Sequence, residues 1–326
     1  MTSAYDPSGA SEPAPLVPAR RSAALGWMSV LCSVSLIAVS VALVDSRQVA
    51  ARLKATDTRW LFAFFATYVV ELGLLGLRWA NIARHLGIPL GWRRASAEYS
   101  LSMLINQLLP TGIAGDGLRA VRHARRCRAR TFPQILEALA LDRVSGQIGL
   151  ALIVLSSLPF MLQAKLVDGR SLSLGLGGFF AAVVVLGLAL RQVPKSSHRL
   201  SSTRAFMSRA TRLLLSPRRA AVHLPLSLLL VAGLLLQLYF AARAVGISLD
   251  GHLLFWLGSL VLLAASVPSF FGGWGIREGA SAVLFASAGL PSSTGVAVSL
   301  VFGAFLLVCA LPGVVVLLCD GTSPVA

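Results

Sequence analysis

Charged residues are scarce in this chain. Asp, Glu, Lys and Arg make up 13% of its 326 residues, whereas they make up about 25% of a typical soluble domain. Hydrophobic residues make up 56% and the mean hydropathy is +0.76, which is more apolar surface than one soluble core could bury. Such hydrophobicity also excludes intrinsic disorder outside the N-terminus. We therefore predict an all-α fold, a polytopic bundle of transmembrane helices.

Catalytic and metal-binding motifs are missing as well. The sequence contains no GxSxG, Walker or HExxH motif, and its five histidines are scattered. The four cysteines show neither CxxC nor His/Cys spacing. The longest polar loop, 191–219, is too short for a catalytic domain. We therefore expect a protein that is not an enzyme and that binds no metal or cofactor.

Positive charge is in excess. The net charge of +16 comes from 29 Lys and Arg against 13 Asp and Glu. These basic residues lie between apolar runs, where the positive-inside rule places them, and no soluble domain carries a basic cluster that could bind nucleic acid. We therefore expect membrane lipids, and no nucleic acid, as partners.

The apolar runs define the predicted domains. Residues 1–19 are rich in Pro, Ser and Ala, which predicts a disordered cytoplasmic tail, and a transmembrane domain follows over 20–320. A cleaved signal peptide is the rival interpretation of the first run, but no clear cleavage site follows it. About six spanning helices are predicted, at 22–44, 60–77, 144–164, 171–190, 220–242 and in the last apolar run, 279–319, after its break at 289–294.

Two further segments are predicted to enter the membrane and return, for up to eight hydrophobic segments in all. If 95–116 crossed the membrane, the basic stretches 78–94 and 117–130 would lie on opposite sides, against the positive-inside rule. We therefore predict that 95–116 is re-entrant, and likewise 252–290. In this topology the basic residues of 45–59 fall outside, against the same rule.

An internal repeat connects the two re-entrant segments. Pro110–Arg119 and Pro268–Arg277 share the pattern P-[ST]-x-x-x-G-x-G-[LI]-R, offset by 158 positions. The predicted structural breaks of the two copies are Pro110, Gly115, Gly117, Pro268, Gly273 and Gly275. The predicted halves, about 20–164 and 171–320, each hold an odd number of crossings, so the second is inverted relative to the first, as in many secondary transporters.

Each copy of the motif resembles a corner that binds an anion. Glycines let the backbone approach a ligand, a following helix start presents free N–H groups, and Arg119 or Arg277 adds a forked donor suited to phosphate. Neighbours at i and i+1 diverge on a helix, so we expect Glu278 to leave Arg277 free for a ligand. The predicted headgroup-binding residues are Asn106, Asp116, Arg119, Asp142, Arg143, Arg277 and Glu278.

Two acidic residues keep alternative interpretations. Asp142 and Arg143 are either a self-contained pair at a helix end or part of a functional site. Glu71 lies two helical turns before Arg78 on the same face, which is typical of a structural pair.

At these motifs the chain resembles the flippase-like membrane-domain family, named after the membrane half of lysylphosphatidylglycerol synthetase. The similar segments, spread over about 20–320, are Asn106–Pro110, Gly115–Arg119, Leu141–Arg143, Pro268–Ala280 and Leu311–Gly313. The resemblance implies a bacterial inner-membrane protein that moves, or helps to move, lipids between leaflets. In the full-length synthetase a soluble domain attaches an amino acid to phosphatidylglycerol. This chain ends shortly after Asp320, so we expect that catalysis to be absent.

Three functions are compatible with these features. The leading hypothesis is a lipid flippase for an anionic or zwitterionic headgroup, with the N-terminus of the protein in the cytoplasm. The second is a membrane scaffold that anchors an enzyme of lipid or glycan biosynthesis. The third is a small-solute transporter that couples ions through Glu98, Glu137 or Asp142. The resemblance does not specify the cargo.

Overall fold

The computed structural model describes residue 35 and residues 46–108, 114–126, 132–163, 216–266 and 274–319. All regular secondary structure in these ranges is helical, which confirms the predicted fold class. The predictions that fall outside them concern the tail 1–19, the spans 22–44 and 171–190, and Pro110, Pro268 and Gly273.

The described residues form a series of helices. They are α1 (Ser46–Lys54), α2 (Arg59–His85), α3 (Trp92–Leu108), α4 (Ala114–Arg126), α5 (Phe132–Gln163), α6 (Pro217–Ala244), α7 (Gly251–Ser266), α8 (Ile276–Ser287), α9 (Ser292–Ala310) and α10 (Gly313–Cys319).

Four stretches in the described residues are long and apolar enough to cross a membrane. They are Arg59–His85, Phe132–Leu162, Arg219–Ala244 and Ser292–Leu318, and they contain most of four of the predicted spans. Large apolar side chains on these helices point outward, such as Phe62 on α2, which is 76% exposed. Such side chains are stable in contact with lipid rather than with water.

The helix order of the first half recurs in the second. Adding the offset of 158 to the bounds of α2 gives 217–243, and α6 is Pro217–Ala244. The same addition to α3 gives 250–266, and α7 is Gly251–Ser266. Both α2 and α6 are followed, two residues after their last residue, by a glycine with positive φ. These are Gly87 at 73° and Gly246 at 79°, and glycine is favoured in this conformation. The internal repeat is therefore present in the structure.

The two equivalent helices α2 and α6 pack against each other and run in opposite directions. Near the start of α2, Trp60 stacks on Phe240, with ring centroids 5.9 Å apart. At the end of α2, the ring of His85 lies 6.1 Å from that of His223, near the start of α6. Because equivalent helices are antiparallel, the two halves are inverted relative to each other.

Helices α3 and α4 form an antiparallel hairpin. Near its tip, Asn106 Oδ1 accepts a hydrogen bond from the backbone N–H of Gly115 at 2.7 Å. Towards its open end, Glu98 Oε2 accepts a hydrogen bond from Arg122 Nε at 2.9 Å. Because α4 runs back along α3, its last residues lie beside the N-terminal part of α3. A re-entrant segment returns the chain to the same side of the membrane in this way. In the second half, α7 and α8 also pack together.

The hairpin corrects the predicted boundaries. The basic stretch 117–130 was predicted to be a cytoplasmic loop, but it is helical to Arg126. Its basic residues alternate in burial because α4 packs one face against α3, so that Arg119 is buried and Arg125 is exposed. Similarly, α2 continues eight residues beyond the predicted end at 77 and buries Arg78.

Candidate functional site

Asp142 is the centre of a buried ionic cluster in the first half. It lies on α5 with an exposure of 0%. Its Oδ1 accepts a hydrogen bond from Arg78 Nε at 2.9 Å, and its Oδ2 accepts one from the hydroxyl of Tyr99. Nη2 of Arg119 lies 3.6 Å from the same Oδ2. Asp142 therefore joins α2, α3 and α4 to α5 and is not a self-contained pair with Arg143.

Arg119 is buried between two aromatic rings. Its Cζ lies 4.2 Å from the ring centroid of Trp79 and 3.8 Å from that of Tyr99, close enough for cation–π attraction. Its Nη2 contacts Asp116 Oδ1 at 3.2 Å. Nε and Nη1 are also buried, and neither has a hydrogen-bond partner among the described residues. Arg119 is 1% exposed, so it is not one of the exposed basic residues that the positive-inside rule places in the cytoplasm.

Asp116 lies at the start of α4, beside this cluster. Its Oδ2 accepts a hydrogen bond from Arg143 Nε at 2.8 Å, and its Oδ1 accepts one from Ser102 Oγ at 3.1 Å. Gly115 allows this close approach of α4 to α3, because a Cβ at that position would lie 2.1 Å from the carbonyl oxygen of Ser102. Asn106, by binding the N–H of Gly115, holds the same junction.

Three of the glycines predicted as breaks fall in the described residues, and they have different roles. Gly115 and Gly117 lie within α4, so neither of them is itself a break. A Cβ at Gly117 would meet no atom within 4 Å, so packing does not require glycine there. Gly275 does mark a break, since its φ of 89° precedes α8 and is a conformation that side chains with a Cβ rarely adopt.

The second half buries a smaller ionic group. Arg277 Nη2 lies 2.8 Å from Glu278 Oε1, and Arg277 Nε donates to Ser299 Oγ at 2.8 Å. The hydroxyl of Ser299 donates in turn to Glu278 Oε1 at 2.9 Å. The expectation that Glu278 leaves Arg277 free was therefore wrong. Glu278 folds back to accept a hydrogen bond from the N–H of Gly275, which caps α8 and brings its carboxylate to Arg277.

The repeat explains why the two groups differ. At the offset of 158, Leu300 stands where the first half has Asp142, and Ala120 stands where the second half has Glu278. Each half thus supplies a carboxylate to the arginine of its motif, but from a different element. Asp142 reaches Arg119 from another helix, whereas Glu278 is adjacent to Arg277 in the chain.

The tips of the two halves touch. The indole Nε1 of Trp274, just before α8, donates a hydrogen bond to Gln107 Oε1 near the end of α3. The guanidinium of Arg277 lies over the Trp274 ring, with Cζ 5.0 Å from its centroid. Gly303 on α9 makes room for this arrangement, because a Cβ there would lie 2.3 Å from Arg277 Nη2.

The two groups also differ in net charge. The charged members of the first-half cluster are Arg78, Asp116, Arg119, Asp142 and Arg143. Three positive and two negative charges leave this cluster at +1, of which Arg143 is an exposed member with a side chain 51% accessible, whereas Arg277 and Glu278 cancel. Sequence reasoning missed Arg78, Trp79, Tyr99 and Ser299. The available signal was the apolar run that ends just before Arg78, since an arginine directly after such a run can lie inside a longer membrane helix, as Arg78 does in Arg59–His85.

Comparison with known proteins identifies the family to which the chain belongs. The family model of the lysylphosphatidylglycerol synthase TM region matches residues 26–313. The chain belongs to this family. Together with the four apolar helices, this makes it a multi-pass integral membrane protein, and the predicted resemblance is confirmed. No curated protein and no solved structure matches the chain.

Proposed function

We propose that this family member moves a lipid with a phosphate-containing headgroup between the leaflets of the bacterial inner membrane, and that Arg119 binds the phosphate. The observation that carries the proposal is the guanidinium of Arg119, which is 1% exposed and whose Nε and Nη1 have no hydrogen-bond partner in the part of the chain that the structure describes. Buried donors without acceptors are costly. A phosphate oxygen is the acceptor that the fork of an arginine fits.

The charge of the first-half cluster supports the same ligand class. Its net charge of +1 is balanced by one phosphodiester, which carries one negative charge. An anionic or a zwitterionic phospholipid supplies that group. In this proposal the N-terminus of the protein lies in the cytoplasm, and the chain catalyses no covalent chemistry.

Arg277 and Glu278 have a later role in the proposed path. Their charges cancel and their hydrogen bonds are largely made within the protein. A headgroup that reaches Arg277 has to displace Glu278, whereas one that reaches Arg119 finds two donors that no described residue occupies. The first contact of the phosphate is therefore assigned to the first half.

Reconstitution into liposomes tests the proposal. Movement of fluorescent phosphatidylglycerol between leaflets is measured for the wild type, Arg119→Lys, Arg119→Ala and Arg125→Ala. Arg125 is a matched control, because it lies on the same helix but is exposed. We expect Arg119→Lys to retain partial transport, Arg119→Ala to lose it and Arg125→Ala to resemble the wild type.

Two outcomes would contradict the proposal. Normal transport by a stably inserted Arg119→Ala protein would remove Arg119 from the headgroup site. Absence of lipid movement by the wild type would favour the scaffold hypothesis, in which the chain anchors a biosynthetic enzyme. Uptake of a soluble substrate instead would favour a solute transporter. One observation speaks against ion coupling through Glu98 or Asp142 in such a transporter, because both carboxylates form salt bridges with arginines.

A further inference from the structure

Glu71 is a buried acidic residue of α2 that forms no salt bridge with any arginine of the described residues. Its Oε2 accepts a hydrogen bond from Gln237 Nε2 of α6 at 2.5 Å. The other buried acidic side chains of the described residues, each in a salt bridge with arginine, are Glu98, Asp142 and Glu278. Arg78, the partner expected for Glu71 from the sequence, binds Asp142 instead. Glu71 thus has an amide as its hydrogen-bond partner, and no positively charged side chain of the described residues forms a salt bridge with it.

The position of Glu71 is near the middle of a membrane span. It lies twelve residues after the start of α2 at Arg59, or about 18 Å along a helix that rises 1.5 Å per residue. It also faces α6, the equivalent helix of the inverted half. An ionised carboxylate without a cation is expensive at this depth, and the coupling ions of inverted-repeat transporters bind near the midplane.

Two buried oxygen atoms near Glu71 have no hydrogen-bond partner among the described residues. They are Oε1 of Gln237 and the hydroxyl oxygen of Tyr68. Tyr68 precedes Glu71 by three residues, so the two side chains share a helix face. An ionised carboxylate can only accept hydrogen bonds, whereas its protonated form adds an O–H donor. The neutral form therefore suits this site.

Few other charges act on Glu71, and most of them cancel. The groups that interact with Glu71 directly, or with its neighbours Tyr68 and Arg78, include Tyr68 and Arg78 of α2, Tyr99 of α3, Asp142 of α5, His223 of α6 and Cys309 of α9. Arg78 and Asp142 neutralise each other directly.

We propose that Glu71 binds one proton and releases it during each transport cycle, which couples lipid movement to a proton gradient. In the step itself, an aqueous proton forms an O–H bond with one carboxylate oxygen, and the reverse step returns it to water. No other reactant is needed. The coupling rests on the proposed lipid transport, whereas the proton site at Glu71 does not.

Infrared difference spectroscopy of the full chain in lipid nanodiscs tests the proton site without any transport. We expect the wild type to show a carboxylic-acid C=O band that disappears as the pH is raised. Glu71→Gln should lack that band, and the exposed Asp57→Asn should keep it. A wild-type spectrum without such a titrating band would overturn the proton site. If Glu71→Gln does not fold, a shifted band in Glu71→Asp identifies the group.

Transport in liposomes with an imposed pH gradient tests the coupling. A gradient of one pH unit should shift the final lipid distribution by up to about tenfold, the limit for one proton per lipid. We expect Glu71→Gln to give the same distribution with and without the gradient, and Asp57→Asn to respond like the wild type. If a sodium gradient without a pH gradient shifts the lipid distribution to the same extent, the proposal is overturned.

The two arms separate the failure of each proposal. A titrating Glu71 band in a protein that moves no lipid would disprove lipid transport and leave the proton site intact. Lipid movement that ignores the pH gradient, in a protein without the band, would disprove the proton site and leave lipid transport intact.

Discussion

Trp274 Nε1 and Gln107 Oε1 form a hydrogen bond of 3.3 Å that joins the second half of the repeat to the first. It connects the residues that flank the two breaks, where each half turns back on itself. If one half moves relative to the other, this hydrogen bond either breaks or makes Gln107 and Trp274 move together. Gln107 and Trp274 are therefore placed to link the two halves.

Removal of this hydrogen bond should affect transport more than stability. Gln107→Leu keeps the size of the side chain but leaves the indole N–H without its acceptor, at a cost of about 1 kcal/mol. We expect a small drop in thermal stability and a clear change in the rate of lipid movement in liposomes. Thr67→Val, which removes a hydrogen bond to Ala63 on α2, is the control. Equal transport by both variants would show that the contact does not link the halves.

Asp142→Asn should be strongly destabilising. It leaves Arg78 and Arg119 buried without their shared carboxylate, and breaking a buried ion pair costs about 3–5 kcal/mol. The matched control is Asp250→Asn, since Asp250 is exposed and surface changes cost within about 0.5 kcal/mol. The difference is measured by unfolding both variants in detergent and monitoring the helical circular dichroism signal. Similar midpoints would mean that Asp142 is not the centre of the cluster.

Two neighbouring glycines of α4 should respond in opposite ways to alanine. Gly115→Ala places a Cβ 2.1 Å from the carbonyl oxygen of Ser102, so it should push α4 away from α3 and lower folded yield. Gly117→Ala enters open space and should be neutral or stabilising by up to about 1 kcal/mol, because alanine favours helix. Size-exclusion profiles and thermal melts compare the two variants. A well-folded Gly115→Ala protein would contradict the close contact.

A double substitution separates the structural role of Arg277 from binding. Arg277→Ala leaves Glu278 buried and unpaired, which costs about 3–5 kcal/mol. Replacing both residues, as in Arg277→Met with Glu278→Gln, removes that penalty and should restore folding. We expect the double variant to fold but to remain slow in lipid transport. If it regains the wild-type rate, Arg277 is structural and leaves the proposed path.

The antiparallel packing of α2 and α6 predicts a topology that labelling can check. Arg93→Cys, near the start of α3, and Arg125→Cys, near the end of α4, should react with an impermeant thiol reagent from the same side. Asp250→Cys, just before α7, should react from the other side. All three positions are exposed. Reaction of Arg93→Cys and Arg125→Cys from opposite sides would contradict the return of the α3–α4 hairpin.

Much of the fold could be predicted from the sequence, because hydropathy and repetition are local properties of a chain. Runs of apolar residues predict spans wherever lipid is the solvent. The shared motif at a single offset predicted that α6 would repeat α2. Both properties can be read without knowledge of which helices touch.

The membership of the candidate site was only partly predictable. Arg119 and Asp116 stood out because charge inside an apolar, glycine-rich stretch needs a reason. Trp79 and Tyr99 did not, since aromatic residues are ordinary in membrane helices. Their role depends on the rotation of α2 and α3 about their own axes.

Composition and order along the chain by themselves determined that this is a helical membrane protein built from two related halves. The tertiary structure decided which charges are paired. Asp142 lies 64 positions from Arg78 in the chain, and helix packing alone brings them together. It also closed Glu278 onto Arg277 and, among the described residues, gave no acceptor to two donors of Arg119 and no cation partner to Glu71. In a membrane interior the energy of a charge depends on its nearest counter-charge, and that distance is set by packing between remote segments.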